Sequence, residues 1–311
     1  MVTSRLNDRR RWGIIYCPRI GAVNKIKKWR EIRAYLIEKG VAYDYIQSED
    51  YGSVERLARM LADNGYETIV VVGGDGAIQD ALNGIMSSAN HANVSLGIIP
   101  NGIANDFAGY WGISSNDYKT AVDYIITGRR RDIDLGCCKY NTEEGEQKRY
   151  FANVVNIGLS AKMVEIANKK VRAPYAKYLS YIRSFILLLL HRHSYMMKMR
   201  LNNQNVEEEF MMLCIGNATG YGMTPSAVPY NGYLDVSAIK KPKFFGLLQG
   251  LQMLYKRKLM NYSLMKPFRT TEITIESVAD ASCGIDGRVF TPTFPMKIAI
   301  EKEVLSLIIP K

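Results

Sequence analysis

The sequence has no long hydrophobic run, no paired cysteines and no leader-like start, and each absence removes a class of protein. Its longest wholly apolar stretch is Phe185-Ile186-Leu187-Leu188-Leu189-Leu190, far short of the roughly 20 residues a membrane-spanning helix requires. The opening MVTSRLNDRRRW turns polar and basic at once, unlike a secretory signal, so the expected location is the cytoplasm. Five cysteines (Cys17, Cys137, Cys138, Cys214, Cys283) are an odd number with neither CxxC nor Cys/His zinc spacing, which favours buried free thiols over a disulfide frame. His191 and His193 would share a strand face, but no third metal ligand stands near them. GxxxxGK[ST], GxGxxG and the kinase HRD and DFG sequences are missing, as are fixed-period repeats.

What is present is a globular composition, 47% hydrophobic and 23% charged over 311 residues, enough chain for two domains with their own cores. The formal net charge is +11. It is spread in short clusters: Arg9 to Arg11, Lys25 to Arg30, Arg129 to Arg131, Lys169 to Lys177, Lys240 to Lys243 and Lys256 to Lys258. Such clusters are ordinary solvated faces, or they attract a polyanion; nucleic acid and anionic lipid headgroups are both served by them. No RNP-like aromatic motif or helix-turn-helix signature accompanies the charge, so no nucleic acid is expected.

The first 135 residues alternate short apolar runs with amphipathic stretches. Strands are predicted at Trp12–Pro18, Val41–Gln47, Thr68–Val72 and Leu96–Pro100. Helices are predicted at Ala22–Lys39, with Ile26, Trp29, Ile32 and Leu36 in a stripe, at Val54–Asn64, and at Ala77–Met86. That alternation implies a parallel sheet covered on both faces, with ligands at the carboxyl ends of its strands. From about Asp132 strands follow one another: Ile133–Tyr140, Tyr150–Ile157, Glu208–Ile215, Tyr233–Ile239, Glu272–Glu276, Met296–Ile300 and Val304–Ile309. Long helices are predicted only at Ala176–Leu190 and Phe244–Met260. The fold class expected is an α/β N-terminal domain, residues 1–133, followed by a mainly antiparallel β domain, residues 134–300.

The chemistry concentrates at IVVVGGDGAIQDALNGI, Ile69–Ile85. A buried strand runs into Gly73-Gly74-Asp75-Gly76, and a helix resumes at Ala77. Glycines there let the backbone take positive φ and bring N–H groups close to a ligand, and the helix offers the positive end of its dipole, which makes a phosphate cradle. The plain alternative is a tight turn, since Asp and Gly are turn residues in any case. The next strand ends in a second such loop, Asn101-Gly102-Ile103-Ala104-Asn105-Asp106-Phe107. Asp75 and Asp106 suit a nucleotide site, because a carboxylate accepts from a ribose hydroxyl or holds Mg²⁺ while glycine amides face phosphates.

At these residues the chain resembles the soluble bacterial diacylglycerol kinases and related lipid kinases, whose catalytic domain is shared with sphingosine and ceramide kinases. The resemblance rests on GGDG with Asn83-Gly84 downstream, on LGIIPNGIANDFAGYWGI at Leu96–Ile113, and on FANVVNIGLSAKMV at Phe151–Val164. GNATGYGMTPSAVPYNGYLDV at Gly216–Val236 and GIDG at Gly284–Gly287 continue it, so it covers nearly the whole chain. It implies a NAD-kinase-like nucleotide domain, a β-rich lipid-substrate domain, and a last strand, about residues 301–311, returning to the first. ATP and lipid would meet in the cleft between them. Carried over, Gly73, Gly74, Asp75, Gly76 and Ala77 with Gly102, Asn105 and Asp106 would line the nucleotide site, Asp75 meeting the Mg²⁺ that accompanies ATP. Cys17 stands where the family's Asn-Pro-x-x-Gly loop has Asn, ahead of Pro18 and Gly21.

Departures from the family pattern fall on chemistry. Ala77 and Asp80 replace the usual Thr and Glu after GGDG, and Ile103-Ala104 replaces Thr-Gly. Asn231 stands where relatives have an aspartate binding a structural Mg²⁺. Asp-Gly-Glu, whose Glu is the family's expected base, reads Asp286-Gly287-Arg288, and arginine with a pKa above about 12 cannot take a proton. Asp286 is then the substitute base, or Arg288 binds a phosphate on the acceptor. The function implied is an ATP- and Mg²⁺-dependent lipid kinase, diacylglycerol-like by default. The alternatives are a weak or inactive relative that regulates by binding nucleotide or lipid, and a NAD kinase. The expected partner is a lipid at an anionic membrane surface, reached peripherally at the inner face through Lys169–Lys177, Ile186–Leu190 and Lys256–Lys258; a homodimer stays open.

Overall fold

A computed structural model of the chain describes residues 11–18, 23–49, 52–102, 105–143, 145–162, 165, 193–256, 258–279 and 281–310. The helix expected at Ala176–Leu190, the basic stretch Lys169–Lys177, Gly21 and His191 lie outside the described residues. The chain divides into two compact units, Met1–Asp134 with Lys302–Lys311, and Leu135–Glu301.

In the first unit β1 (Trp12–Tyr16), α1 (Val23–Glu38), β2 (Tyr43–Gln47), α2 (Ser53–Asp63), β3 (Thr68–Gly73), α3 (Asp75–Met86) and β4 (Ser95–Pro100) alternate, then α4 (Asp106–Tyr110) and α5 (Tyr118–Thr127) follow. The strands run parallel in the order β2-β1-β3-β4. Ser306 and Leu307, near the end of the chain, pair parallel with β4 at Ser95 and Leu96. Every residue of β3 and β4 is buried, as a strand covered on both faces must be. On α1 the stripe Trp29, Ile32 and Leu36 is buried, and the Trp29 ring stacks on Tyr16 at 4.6 Å. Helix α5 is absent from the sequence reading, although its ends are marked: the Asp117 side chain accepts the Thr120 N–H at 3.0 Å, and Gly128 closes the helix at φ 64°.

Helices α2 and α3 cross where Gly84 has no side chain. A Cβ there would lie 2.2 Å from the Glu55 carbonyl oxygen and 2.8 Å from the Ala58 Cβ. The Asn83-Gly84 pair of the sequence pattern therefore has a packing reason of its own. Gly84→Val is expected to destabilise the protein by about 3 kcal/mol, the upper range of overpacking, because the obstacle is backbone. Urea unfolding measures it; an unchanged midpoint would contradict the close crossing.

The second unit begins within β5 (Arg130–Thr142). It continues through β6 (Gly145–Phe151), β7 (Val154–Gly158), β8 (Tyr195–Leu201), β9 (Gln204–Phe210), β10 (Met212–Gly216), β11 (Leu234–Ile239), α6 (Phe244–Tyr255), β12 (Met265–Thr270), β13 (Glu272–Val278), β14 (Cys283–Ile285), β15 (Arg288–Phe290) and the start of β16 (Thr293–Ile308), whose residues from Lys302 on belong to the first unit. One sheet orders β12-β11-β10-β7-β14-β15; the other carries β16-β13-β8-β9 with the β5–β6 hairpin beside β16. Val155, Ile157, Met197, Met199, Phe210, Leu213, Ile275 and Ile298 belong to one buried core. Cys137, Cys138, Cys214 and Cys283 are buried free thiols, Cys17 is half-buried, and burial pushes Cys137, Cys214 and Cys283 up to about 12.

Four predicted strands are differently divided. Tyr150–Ile157 is two strands broken at Ala152-Asn153, and Glu208–Ile215 is two strands broken at Met211 that belong to different sheets. An unbroken apolar run, Phe210–Ile215, conceals the second break, whereas Asn153 stands at the first. Conversely, Met296–Ile300 and Val304–Ile309 are parts of one strand, β16, which passes through the charged Glu301-Lys302-Glu303. Glu303 takes φ 53° there, and its N–H donates to Asp134 Oδ1 at 2.9 Å.

Candidate functional site

The first-unit site begins with register. Gly73 pairs with Pro100, so β3 and β4 end side by side. Gly74 caps α3 at φ −109°, and its carbonyl accepts the N–H groups of Ala77 and Ile78 at 2.9 and 3.0 Å. Positive φ, the expected use of these glycines, is not what they supply: Gly73, Gly74 and Gly76 all lie outside that region. Room is what they supply. A Cβ on Gly73 would stand 2.7 Å from the Ala77 Cβ, whereas one on Gly76 would meet nothing within 4 Å. Gly76 thus leaves open approach to the first turn of α3, where the helix dipole favours an anion.

The second loop is tied to the first. Asn101 N–H donates to the Gly73 carbonyl at 2.7 Å. The buried carboxylate of Asp75 accepts the N–H of Asp106 at 2.9 Å and of Phe107 at 3.2 Å, capping α4 from the neighbouring strand end. Asn105 folds its own loop: its Oδ1 accepts the Gly102 N–H at 3.0 Å and its Nδ2 donates to the Gly102 carbonyl at 3.1 Å. So Gly73–Ala77, Gly102, Asn105 and Asp106 share one sheet edge, and Asp75 locks it.

Lys28 of α1 reaches the same edge. Its Nζ donates to the carbonyls of Pro100 at 3.3 Å and Ser115 at 2.8 Å, and burial draws its pKa below the usual lysine value. A half-buried ammonium is thereby held at the carboxyl end of β4. Sequence reasoning missed it, since nothing in the run Lys25–Arg30 distinguishes one lysine from its neighbours.

Asp286, Arg288 and Asn231 lie in the second unit. Asp286 and Gly287 have φ 45° and 82° and join β14 to β15, the pair of left-handed residues that a two-residue type I′ hairpin demands. The turn also places Arg288 opposite Ile285. The Asp286 side chain, 3% exposed, turns onto the break between β6 and β7. Oδ1 accepts the N–H of Val154 at 2.7 Å and of Asn153 at 3.1 Å, and Oδ2 accepts that of Ala152 at 2.9 Å. Its own N–H donates to the Val154 carbonyl at 3.0 Å. Three backbone N–H groups converge on its two oxygens, which places the carboxylate as an anchor of the break.

The other second-unit motifs close on the same break. Asn153 Oδ1 accepts the Gly220 N–H at 2.7 Å, Asn217 Nδ2 donates to the Ala152 carbonyl at 3.0 Å, and Thr224 Oγ1 donates to the Ala218 carbonyl at 2.7 Å. A Cβ on Gly216 would lie 2.0 Å from Thr224 Oγ1. The FANVVN, GNATGYGMT and GIDG stretches therefore form one buried polar knot, which spacing alone did not reveal. Asn231 Oδ1 accepts the Tyr233 N–H at 2.9 Å, a local Asx turn. The carboxylate four residues on, Asp235, is held by Arg269 through Nε at 2.7 Å and Nη2 at 3.1 Å. Among the described residues no group of three or more His, Cys, Asp or Glu side chains is arranged to hold a metal.

Comparison with known proteins gives two family models along the chain. The model of the diacylglycerol kinase catalytic domain matches residues 11–138, and that of the YegS C-terminal NAD kinase beta sandwich-like domain matches residues 153–309. A diacylglycerol kinase of Staphylococcus saprophyticus is 23% identical over 283 residues, 90% of this chain and 89% of that one. One from Mycobacterium tuberculosis is 24% identical over 247 residues, 78% of this chain and 77% of that one. Among solved structures, a putative diacylglycerol kinase from Bacillus anthracis superposes with a TM-score of 0.74 at 18% identity, covering 97% of each chain. Yeast NADH kinase complexed with NADH gives 0.53 at 10% identity, covering 96% of this chain and 84% of that one. These likenesses place the fold as an α/β unit followed by an antiparallel β sandwich.

Proposed function

The chain belongs to the bacterial diacylglycerol kinase family, and from that premise we propose that it transfers the γ-phosphoryl group of ATP to a hydroxyl of a membrane lipid, diacylglycerol-like in form. The observation that carries the reading is the Asp75 lock, which fixes two glycine-bearing strand ends side by side with Gly76 open above a helix N-terminus. Such an edge suits a triphosphate, its charge met by the α3 dipole and by Lys28. Mg²⁺ that arrives on nucleotide phosphates needs only one or two protein carboxylates, which Asp75 and Asp106 would provide, and it would neutralise charge developing on the transferred group. In the transfer the lipid oxygen bonds to the γ-phosphorus, the bond to ADP breaks, and the hydroxyl proton leaves to a base or to water. Arg288 cannot be that base, and Asp286 is engaged by three backbone amides.

That engagement favours a second reading, a weak or inactive relative that regulates by binding nucleotide or lipid. Phosphoryl transfer rests mainly on positioning and charge neutralisation, and a general base adds a typical ~10²–10⁴-fold. The first reading therefore survives at reduced rate. Offering γ-labelled ATP with total lipid extract, with NAD, or with no acceptor separates them. Label in the organic phase is expected; label on NAD would replace the lipid reading, and binding of ATP without transfer to anything would establish the regulatory one.

A further inference from the structure

Helix α6 carries no charge along FFGLLQGLQMLY, Phe244–Tyr255. One side is fixed against its own unit. Gly246 and Gly250 let the helix approach Tyr262, whose hydroxyl donates to the Gly246 carbonyl at 2.8 Å and whose ring lies 3.2 Å from where a Gly250 Cβ would be. Leu247 is buried in the same small cluster with Tyr262 and Met265. The opposite side is presented outward: Phe245 is 82% exposed, Leu248 51% and Tyr255 89%. At positions i, i+3 and i+10 these share one face of the helix, with the exposed, uncharged Gln252 at i+7 between them. Beside it, Gly222 comes within packing distance of Leu254, next to Tyr221, which is exposed.

Cations frame the stripe. Lys241 and Lys243 precede the helix, Lys256 and Lys258 follow it, and all four are exposed. From Val236 to Thr271 the chain holds eight Lys and Arg residues and not one Asp or Glu. We propose that the outer face of α6, with Lys241, Lys243, Lys256 and Lys258, is the surface on which the protein lies at an anionic lipid bilayer, Phe245, Leu248 and Tyr255 entering the interface. The proposal deepens the lipid-kinase reading and rests on it for the need to reach a bilayer. Only an anionic bilayer meets both parts of the surface: a polyanion in water leaves the apolar stripe wet. A second copy of the chain is disfavoured, because pairing two such helices in either direction sets lysine ends against lysine ends. Each cation near an anionic surface contributes roughly fivefold in partitioning, lessened by salt.

Vesicle flotation of the full chain tests the surface without nucleotide. Vesicles with one-third phosphatidylglycerol are expected to bind at least tenfold more protein than pure phosphatidylcholine, falling as salt rises. The double variant Phe245→Ser/Leu248→Ser is expected to lose tenfold or more. Lys243→Glu/Lys256→Glu should lose far more than the charge-matched control Lys119→Glu/Lys139→Glu. All these side chains are exposed, and circular dichroism confirms that each variant folds. Equal binding to neutral vesicles, α6 variants that bind as the wild type does, or a concentration-dependent dimer that the serine pair disrupts while no vesicle is bound, would each overturn the proposal. Phosphorylation of diacylglycerol in detergent micelles is read in parallel. Activity without α6-dependent docking defeats only the surface, and docking without activity defeats only the kinase.

Discussion

Replacing Arg288 with glutamate is expected to raise the rate of diacylglycerol phosphorylation by ~10²–10⁴-fold, the contribution of a general base. The left-handed Asp286-Gly287 turn places position 288 opposite Ile285. Were Arg288 instead gripping a phosphate on the acceptor, the same substitution would lower the rate on that acceptor, since the new carboxylate repels what the guanidinium held. The sign of the change decides. Asp286→Asn supplies the control: an amide there turns a donor toward backbone N–H groups, and about 3 kcal/mol of stability should be lost. Its inactivity would accompany a lowered unfolding midpoint. An Asp286→Asn protein that keeps its midpoint while losing activity would show that Asp286 is the base after all.

The second large effect is expected at Asp75. Asp75→Ala deletes the acceptor of the Asp106 and Phe107 N–H groups, two charge-assisted hydrogen bonds whose loss costs about 3 kcal/mol when the donors stay partly buried. The loop of Asn105 and Asp106 is released from β3, so MgATP affinity should fall at least a hundredfold by calorimetric titration. Asp75→Asn retains one acceptor oxygen and is expected to recover stability in part. Should it bind MgATP as tightly as the wild type, the carboxylate serves the loop alone and the metal must be held elsewhere.

The first unit is legible in its sequence because each parallel strand buries both faces and reads as an apolar run, as Ile69–Val72 and Leu96–Ile99 do, while Trp29, Ile32 and Leu36 mark their helix by spacing. The two strand-end loops are legible for the same reason. What joins them is not: Asp75 meets amides 31 and 32 residues away, and no local pattern encodes a side chain that caps a distant helix. The Met-rich strand Tyr195–Leu201 escaped because methionine suits helices and strands alike, although Met197, Met199 and Leu201 alternate with Met196, Lys198 and Arg200 as a half-buried strand should. Lys28 and the polar knot around Asn153 escaped for the reason Asp75 did. Their partners are backbone carbonyls and amides, which every residue carries.

The most direct test is the initial rate of γ-phosphoryl transfer from ATP to diacylglycerol in mixed micelles, measured with Mg²⁺ and again with excess chelator. A lipid kinase working at the Asp75 edge gives a slow rate that saturates in both ATP and diacylglycerol, disappears with the metal and is absent from Asp75→Ala. Tight MgATP binding by the wild type with no transfer, even after Arg288→Glu, would contradict it and leave a nucleotide-binding regulator.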